Sequence, residues 1–401
     1  MNCLLVMNAG SSSVKFGLYE DPGSLMLASG VVRNIGQPGA TMSISLAGHQ
    51  TVTEPSPQLA TTSSLGAVIL HRLRQMYPDA QITGIAHRVV HGGPTHVAPE
   101  VVTPQLITDL HRIESLDPNH LPAQIELMYS LGQTLPEATQ VACFDTAFHA
   151  NLPAKARILP IPRRYTNQGV RKFGFHGLAL QSVVDQLAKT YPLLPQKIIV
   201  AHLGSGVSIT ALQDGASIDT SMALSPNSGV PMSTRSGNID PGIFTYITAT
   251  DKLSTEAVTD ILANKSGLLG ISDQTPDMER LLADRDTNPM AAEAIDVFCY
   301  EVSKQIAAMT VALGGLDLLV FSGGMGEVAG VIRGQVCQQL AHLSLRLDDA
   351  SNQSNATVLS TTDSSVQVRI VQVDEASVML QQIKPFISKP QPEEAPHANI
   401  T

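Results

Sequence analysis

Short apolar runs that end in glycine and serine recur along this chain, with helical stretches between them. The first run, Cys3 to Met7, leads into the turn Asn8-Ala9-Gly10-Ser11-Ser12-Ser13 and then a mixed strand from Val14 to Glu20. This is a strand, turn, strand signature. Displaced by 194 residues the pattern returns: Leu4 to Asp21 lies over Ile198 to Gly215, with Gly10 over Gly204 and Asn8 over His202. An internal duplication is the economical explanation.

Between the copies, strands predicted at Ile82 to Val90 and Thr139 to Phe144 alternate with helical patterns at Pro104 to Leu116, Pro122 to Leu131 and Leu178 to Tyr191. The later half adds helices at Thr255 to Leu262 and Pro289 to Leu313, a buried strand at Asp317 to Phe321, and a helix beyond Gly326. Such alternation predicts an α/β protein with helices packed on mixed sheets. A final strand, Val366 to Val373, runs into Asp374, a predicted N-cap, and a last helix from Glu375 to about Ile383. From Lys384 the tail has four prolines and few apolar residues and reads as disordered, most clearly over 391–401.

Composition narrows the class. With 401 residues and 43% hydrophobic positions, the chain has material for more than one core, so two domains are expected. The formal net charge is −10 and the Lys and Arg form no basic stripe, which argues against a nucleic-acid partner. The few Arg inside Gly-rich or apolar surroundings gain meaning, because an anionic substrate needs them against a negative field. Cys3, Cys143, Cys299 and Cys337 lie far apart with no CxxC, which suits reduced thiols and a cytoplasmic location. No window matches a membrane span, and the start lacks the basic region of a signal peptide.

Three Gly-rich turns each follow an apolar strand: NAGSSS at 8–13, HLGSGVS at 202–208 and FSGGMGE at 321–327. Glycine admits an anion close to the backbone, and successive N–H groups in such turns form hollows for phosphate oxygens. Together they point to a nucleotide held from both halves of the duplication. Neither GxxxxGK[ST] nor a strand-borne GxGxxG is present, so this is a different phosphate-binding fold. Arg88, within His87-Arg88-Val89-Val90-His91-Gly92-Gly93, stands inside a strand and pairs either with a substrate anion or with an internal Asp. His87, His91 and His96 read as structural rather than as metal ligands. His176 sits between glycines before an amphipathic helix, suited to a transferring phosphoryl group, or to a plain capping or core role. Arg235 lies in the small, polar run 231–241, where the bland alternative is a solvated surface Arg. Asp145 and Glu375 stand at strand ends, where a carboxylate serves Mg2+ or an N-cap.

In order, NAGSSS, HRVVHGG, FDTAFH, FGFHG, HLGSG, TRSGNIDPG, SGLLGIS, GGMGE and the final Asp374-Glu375 resemble the acetate and propionate kinase family over roughly residues 3–383. That family lies within the superfamily of sugar kinases, actin and the heat-shock chaperone ATPase domain. The resemblance implies two ribonuclease-H-like (actin-like ATPase) domains related by duplication, with a central cleft. Their expected bounds are 1–148 plus 375–390 for the first and 149–374 for the second. It also implies a homodimer and transfer of the ATP γ-phosphoryl group, with Mg2+, onto a short carboxylic acid. By the same resemblance Asn8, Ser11 and Ser13 lie near phosphate and Mg2+, with Lys15 beside the phosphates. Arg88 and Arg235 meet the acid and the phosphoryl group, His176 meets that phosphoryl group, and Asp145 and Glu375 serve the metal and its waters. His202, Gly204 and Gly206 line the nucleotide phosphates, and Asp277, Met278 and Gly324 approach the adenosine. The acyl cup falls on Val90, Asn119, Phe175 and Pro226.

The chain departs from the family pattern at several of these places. Asn119 replaces a usual Leu, and a buried amide there predicts a larger or hydroxylated acid as an alternative substrate. Ser205, Glu279 and Val328 alter the nucleotide motifs, and Asn238 replaces a usual Asp. A non-catalytic nucleotide-gated sensor is the remaining alternative, but it would not need Arg88, His176, Arg235 and Glu375 together.

Overall fold

The computed structural model describes residues 1–10, 13–21, 23, 25–37, 39–46, 51–56 and 64–387. Ser11 and the 391–401 tail lie outside the described residues. The chain divides into two compact units: Met1–Val90, Ala98–Phe144 and the segment from Ala376 form one, and His91–Val97 with Asp145–Glu375 form the other.

The first unit is built on β1 (Asn2–Ala9), β2 (Ser13–Glu20), β3 (Leu25–Arg33), β4 (Thr41–Leu46), β5 (Val52–Pro55), β6 (Gln81–Val89), β7 (Glu100–Val101) and β8 (Thr139–Phe144). They lie in the order β5-β4-β3-β2-β1-β6-β8-β7. The second unit carries β9 (Lys197–Leu203), β10 (Val207–Gln213), β11 (Ala216–Thr220), β12 (Leu318–Ser322) and β13 (Gln367–Ile370), in the order β11-β10-β9-β12-β13. Within the first sheet, β3-β2-β1 is antiparallel and β1-β6-β8 is parallel. The second repeats this: β11-β10-β9 is antiparallel and β9-β12-β13 is parallel. The fold is therefore a duplicated, mixed α/β ribonuclease-H-like architecture, as the repeat predicts.

The two hairpins differ by one residue. Ala9 pairs with Val14, whereas Leu203 pairs with Val207, so the second turn is shorter. The repeat seen without a gap holds through the first strand and the turn glycine, and then slips by one residue. A slip of one would turn every side chain of an isolated strand to the other face, and the shorter turn absorbs it.

Each sheet is buried by helices. Leu65, Ile69 and Leu73 of the helix Leu65–Met76 and Leu127 and Leu131 of Leu121–Thr134 form one core with Cys3, Leu5 and Met7 of β1. On the opposite face lies the last helix, Glu375–Ile387. A Cβ at Gly84 would come within 2.9 Å of Ile383 Cδ1 and 3.1 Å of both Ile387 Cγ2 and Leu4 Cδ2, so glycine at this strand position permits the close approach. This helix runs past the predicted stop at Ile383 and carries Pro385 within it, so 384–387 are helical rather than disordered. Its apolar face, buried at Val378, Met379, Leu380 and Ile383, continues the sheet contact and outweighs the proline.

In the second unit Leu180, Val183 and Leu187 of the helix Gly177–Thr190 pack on Ile198, Val200, Leu318 and Val320. The helix Pro289–Leu313 also packs on β9 and β10, burying Phe298, Val302 and Ile306. Its ends follow from its own residues. Asn288 Oδ1 accepts from Met290 N at 3.0 Å, proline occupies the first turn, and Gly314 closes it in the left-handed region.

Candidate active site

Sheet register assembles the first group of polar residues. Asn8 on β1 is paired with Lys15 on β2 and with Arg88 on β6. Cross-strand partners share a face, so the three form one row, and Arg88 Nη1 donates to Asn8 Oδ1 at 3.1 Å. The strand ends are pinned by Gln124, a buried residue that motif reading missed. Its Nε2 donates to Ala9 O at 2.9 Å and its Oε1 accepts from Val90 N at 3.1 Å. Its only signal in the sequence is a polar residue in the buried stripe of a helix.

His87, beside Arg88, is buried and meets Gln140 Oε1 at 2.7 Å; desolvation lowers its pKa to about 4. His91 is also buried, accepts from Gly93 N through Nδ1, and packs edge-on against Phe173 and Phe175. Both are held by these buried contacts. Val90 is buried, but Asn119 is exposed. The expected cost of an unpaired buried amide therefore does not arise. The residue occupies the exposed turn before the helix Leu121–Thr134, where water can meet its amide.

The second unit holds the counterpart row. His202 on β9 is paired with Ser208 on β10 and Ser322 on β12. His176 Nδ1 lies 3.0 Å from Ser208 Oγ, and His202 Nδ1 lies 3.2 Å from Ser322 Oγ. The two imidazole centroids are 4.7 Å apart. His176 precedes the helix Gly177–Thr190 with φ of 60°, and its side chain makes no capping bond there. The ring turns to Ser208 instead, which sets the capping alternative aside. Its neighbour is equally constrained: a Cβ at Gly177 would lie 2.0 Å from Asp145 O, so the helix start presses on the backbone that follows β8.

Arg235 is half-buried, not a solvated surface residue. Its Nη1 donates to the carbonyl of Pro226 at 3.0 Å. The surrounding loop is braced by SGLLGIS. Leu268 N and Leu269 N donate to Met232 O and Ser233 O, and Ser266 N donates to Thr234 O. Gly267, at φ +62°, permits this, since a Cβ there would meet Met232 O at 2.1 Å. Asn238 Oδ1 accepts from Gly229 N at 3.0 Å, a bond that an amide or a carboxylate oxygen makes equally well. Asn238 thus preserves the acceptor of the residue it replaces.

Gly206 marks where these groups converge. A Cβ on it would lie 3.1 Å from His176 Nε2 and 3.5 Å from Arg235 Nη1. Gly204 N donates to Gly206 O within the same turn. Phe175 and Pro226 are buried close by in sequence to His176 and to the acceptor of Arg235, respectively. Asp145 is buried at the end of β8, next to Thr146, whose Oγ1 accepts from Gly92 N at 3.0 Å and so ties FDTAFH to HGG. Glu375 is half-buried at the first position of the last helix.

FSGGMGE is less of a turn than expected. Only Gly323, at φ +75°, turns the chain, and Gly323–Val328 is already helical. A Cβ at Gly324 would meet nothing within 4 Å, so this position faces open space. Arg333, unnoticed in the sequence, is fully buried and donates through Nη1 to Gly326 O and through Nε to Asn352 Oδ1, both at 2.9 Å. It thereby holds the end of that short helix. Asp277 caps the helix Met278–Asp284 through Glu279 N at 2.9 Å, and Met278 is buried beneath it. Glu279 and Val328 are exposed.

A doubled strand, Gly-turn, strand unit with polar rows at the strand ends defines the actin-like ATPase class. Within that class the chain belongs to the acetokinase family, which it matches across residues 3–381. It is 37% identical over 380 residues to the acetate kinase of Rhodopseudomonas palustris (strain TIE-1), covering 93% of this chain and 95% of that protein. The propionate kinase of Citrobacter freundii is 35% identical over 387 residues, covering 95% of each. Among solved structures, a propionate kinase from Francisella tularensis subsp. tularensis SCHU S4 superposes with a TM-score of 0.89 at 34% identity, covering 95% of this chain and 99% of that one.

Proposed function

We propose that this protein transfers the γ-phosphoryl group of ATP to the carboxylate of a short-chain acid, acetate or propionate, reversibly and by direct in-line displacement. The observation that carries this reading is the approach of His176 Nε2 and Arg235 Nη1 to the backbone of Gly206. Two side-chain donors beside a turn without a Cβ suit a phosphoryl group whose charge is spread over its equatorial oxygens. Arg88, in its row with Asn8 and Lys15, is assigned to the acid, and the family resemblance assigns Val90, Phe175 and Pro226 to its carbon chain. Phosphoryl transfer makes its largest demands on positioning and charge stabilisation, and the bracing of Arg235 by Pro226 and SGLLGIS meets the first.

The family resemblance assigns Mg2+ to Asn8, Glu375 and Asp145, whose side-chain oxygens are the donor type this hard cation prefers. This ion takes few protein ligands and keeps water and phosphate oxygens for the rest. Asn8 and Glu375 would hold it, with Asp145 acting through water. When bound, the ion neutralises charge on the phosphate oxygens. His202, Gly204, Gly206, Ser11 and Ser13 are assigned to the nucleotide phosphates, and Asp277, Met278 and Gly324 to the adenosine. The family resemblance supports a homodimer, and four free, buried cysteines suit a reducing cytoplasm. Among the described residues no helix is long and apolar enough to cross a membrane.

Incubation with ATP, Mg2+, a panel of acids and hydroxylamine tests the reaction, because hydroxylamine traps an acyl phosphate as its hydroxamate. Hydroxamate formation with acetate or propionate is expected. Its absence with every acid would overturn the assignment in favour of a sensor.

A further inference from the structure

Between Asp145 and Asp185 the chain has no acidic residue, yet this stretch holds Lys155, Arg157, Arg163, Arg164, Arg171 and Lys172. In a protein of net charge −10 that is a local reversal of sign. None of these cations has a part in the roles above. Among the described residues Lys172 alone is paired with a carboxylate, its Nζ donating to Asp219 Oδ1 at 2.7 Å and to Thr220 O at 2.8 Å. Lys155, Arg163 and Arg164 are exposed, where water serves an unpaired cation well.

Arg157 and Arg171 are placed differently. Both are half-buried, and both belong to the second unit. Lys172 N donates to Arg157 O at 2.9 Å, which fixes the end of the short helix Ala154–Arg157 beside the residue that follows Arg171. The second segment is itself held, since Lys172 is anchored on β11 and Phe173 N donates to Ala223 O at 2.9 Å. The Arg171 guanidinium lies 5.0 Å from the centroid of the Phe173 ring, and that ring packs edge-on against His91, with centroids 4.5 Å apart. Arg171 Nε is enclosed without a hydrogen-bond partner among the described residues, and neither arginine has a carboxylate partner there. Burial, and after it the like charge of Arg157, hold the Arg171 guanidinium below its usual pKa.

Two guanidiniums kept close with no acid beside them repel each other, and burial strips part of their hydration. A bound oxyanion removes both costs, because each planar fork offers it paired N–H donors. Two positive charges match a dianion, whereas a single carboxylate would leave one of them unmet. Phe173 fixes the plane of the Arg171 fork through its ring face. We propose that Arg157 and Arg171, backed by Phe173, form a binding site for a dianionic phosphate group, either inorganic phosphate or the phosphomonoester of a small metabolite. Lys155, Arg163 and Arg164, in the same acid-free stretch, draw the anion toward it. The site uses none of the residues assigned to the nucleotide, and it stands whether or not the protein is a carboxylate kinase.

Isothermal titration of the full-length protein, saturated with ADP and Mg2+, tests this in two arms, with inorganic phosphate in one and glycerol 3-phosphate in the other. One equivalent of at least one of them is expected to bind, and the tighter arm identifies the source of the phosphate group. Arg157→Gln and Arg171→Gln should each weaken that binding roughly tenfold or more, the scale of losing charge-assisted hydrogen bonds. Arg171→Lys, which keeps the charge but not the fork, should weaken it as well. Together with Arg157→Gln it keeps the test open should Arg171→Gln fail to fold, and a normal melting transition qualifies each variant. Arg235→Ala should leave this binding unchanged. Binding in neither arm overturns the proposal, as does binding that Arg235→Ala abolishes and Arg157→Gln does not. An equal loss in Lys155→Gln, the mark of diffuse charge in place of a two-arginine site, overturns it too.

Discussion

Arg235 is oriented by the carbonyl of Pro226. Arg235→Ala should lower kcat by roughly 10² to 10³, the scale for losing one donor to a charge-bearing transition state. Steady-state kinetics on a variant with a normal melting transition checks this, and near-normal kcat would refute the role. Two other residues govern pH response. His87 and His149 are buried, and desolvation brings each to about pKa 4, with His149 held between Ser217 and the carbonyl of Phe175. In the unfolded chain each takes up its proton near pH 6.5. The unfolded state therefore binds more protons between about pH 6.5 and pH 4. Stability present above pH 6.5 should be lost as pH falls through that window, by an amount on the order of 3 kcal/mol per histidine. Urea unfolding at pH 7 and pH 5 reads the upper part of this loss, about 2 kcal/mol per histidine, and a His87→Gln variant should show a shallower fall.

At the scale of elements, the Arg235 loop is held by backbone contacts that only glycine allows. Gly267 brings SGLLGIS under Met232 and Ser233, and that bracing is what sets the Arg235 loop. Gly267→Ala adds a Cβ 2.1 Å from Met232 O at a left-handed φ, so the loop has to move. A displacement of about 1 Å at a reacting group costs about 10²-fold in rate, and kcat should fall on that order. A variant that keeps its kcat would show the brace to be irrelevant. These glycines were legible as motifs, but their task was not. The sequence shows that Gly267 and Arg235 both lie in unusual stretches, and nothing in it says that one supports the other. Arg333 was hidden for the opposite reason: an arginine inside a helix resembles a surface residue until Gly326 and Asn352 are seen to surround it.

Across the whole molecule, the last helix returns to the first sheet after the complete second unit has been traversed. Ile383 is fully buried there against the space above Gly84. Ile383→Ala should destabilise the protein by about 2–5 kcal/mol through lost burial and the cavity left behind, measured by urea unfolding. A change below about 0.5 kcal/mol, the range of an exposed site, would contradict the packing. The amino-acid sequence by itself determined the duplication, the α/β class and the order of the Gly-rich turns, because hydrophobic periodicity and glycine are local signals that survive without neighbours. It also marked Arg88, His176 and Arg235 by their unusual surroundings. Tertiary structure alone decided what those residues touch: the row Lys15, Asn8, Arg88 depends on strand register, and the approach of His176 and Arg235 to Gly206 joins segments far apart in the chain. It also decided burial, leaving Asn119 exposed and Asp117 enclosed. Burial depends on which distant side chains cover a residue, and no local pattern of residues encodes that.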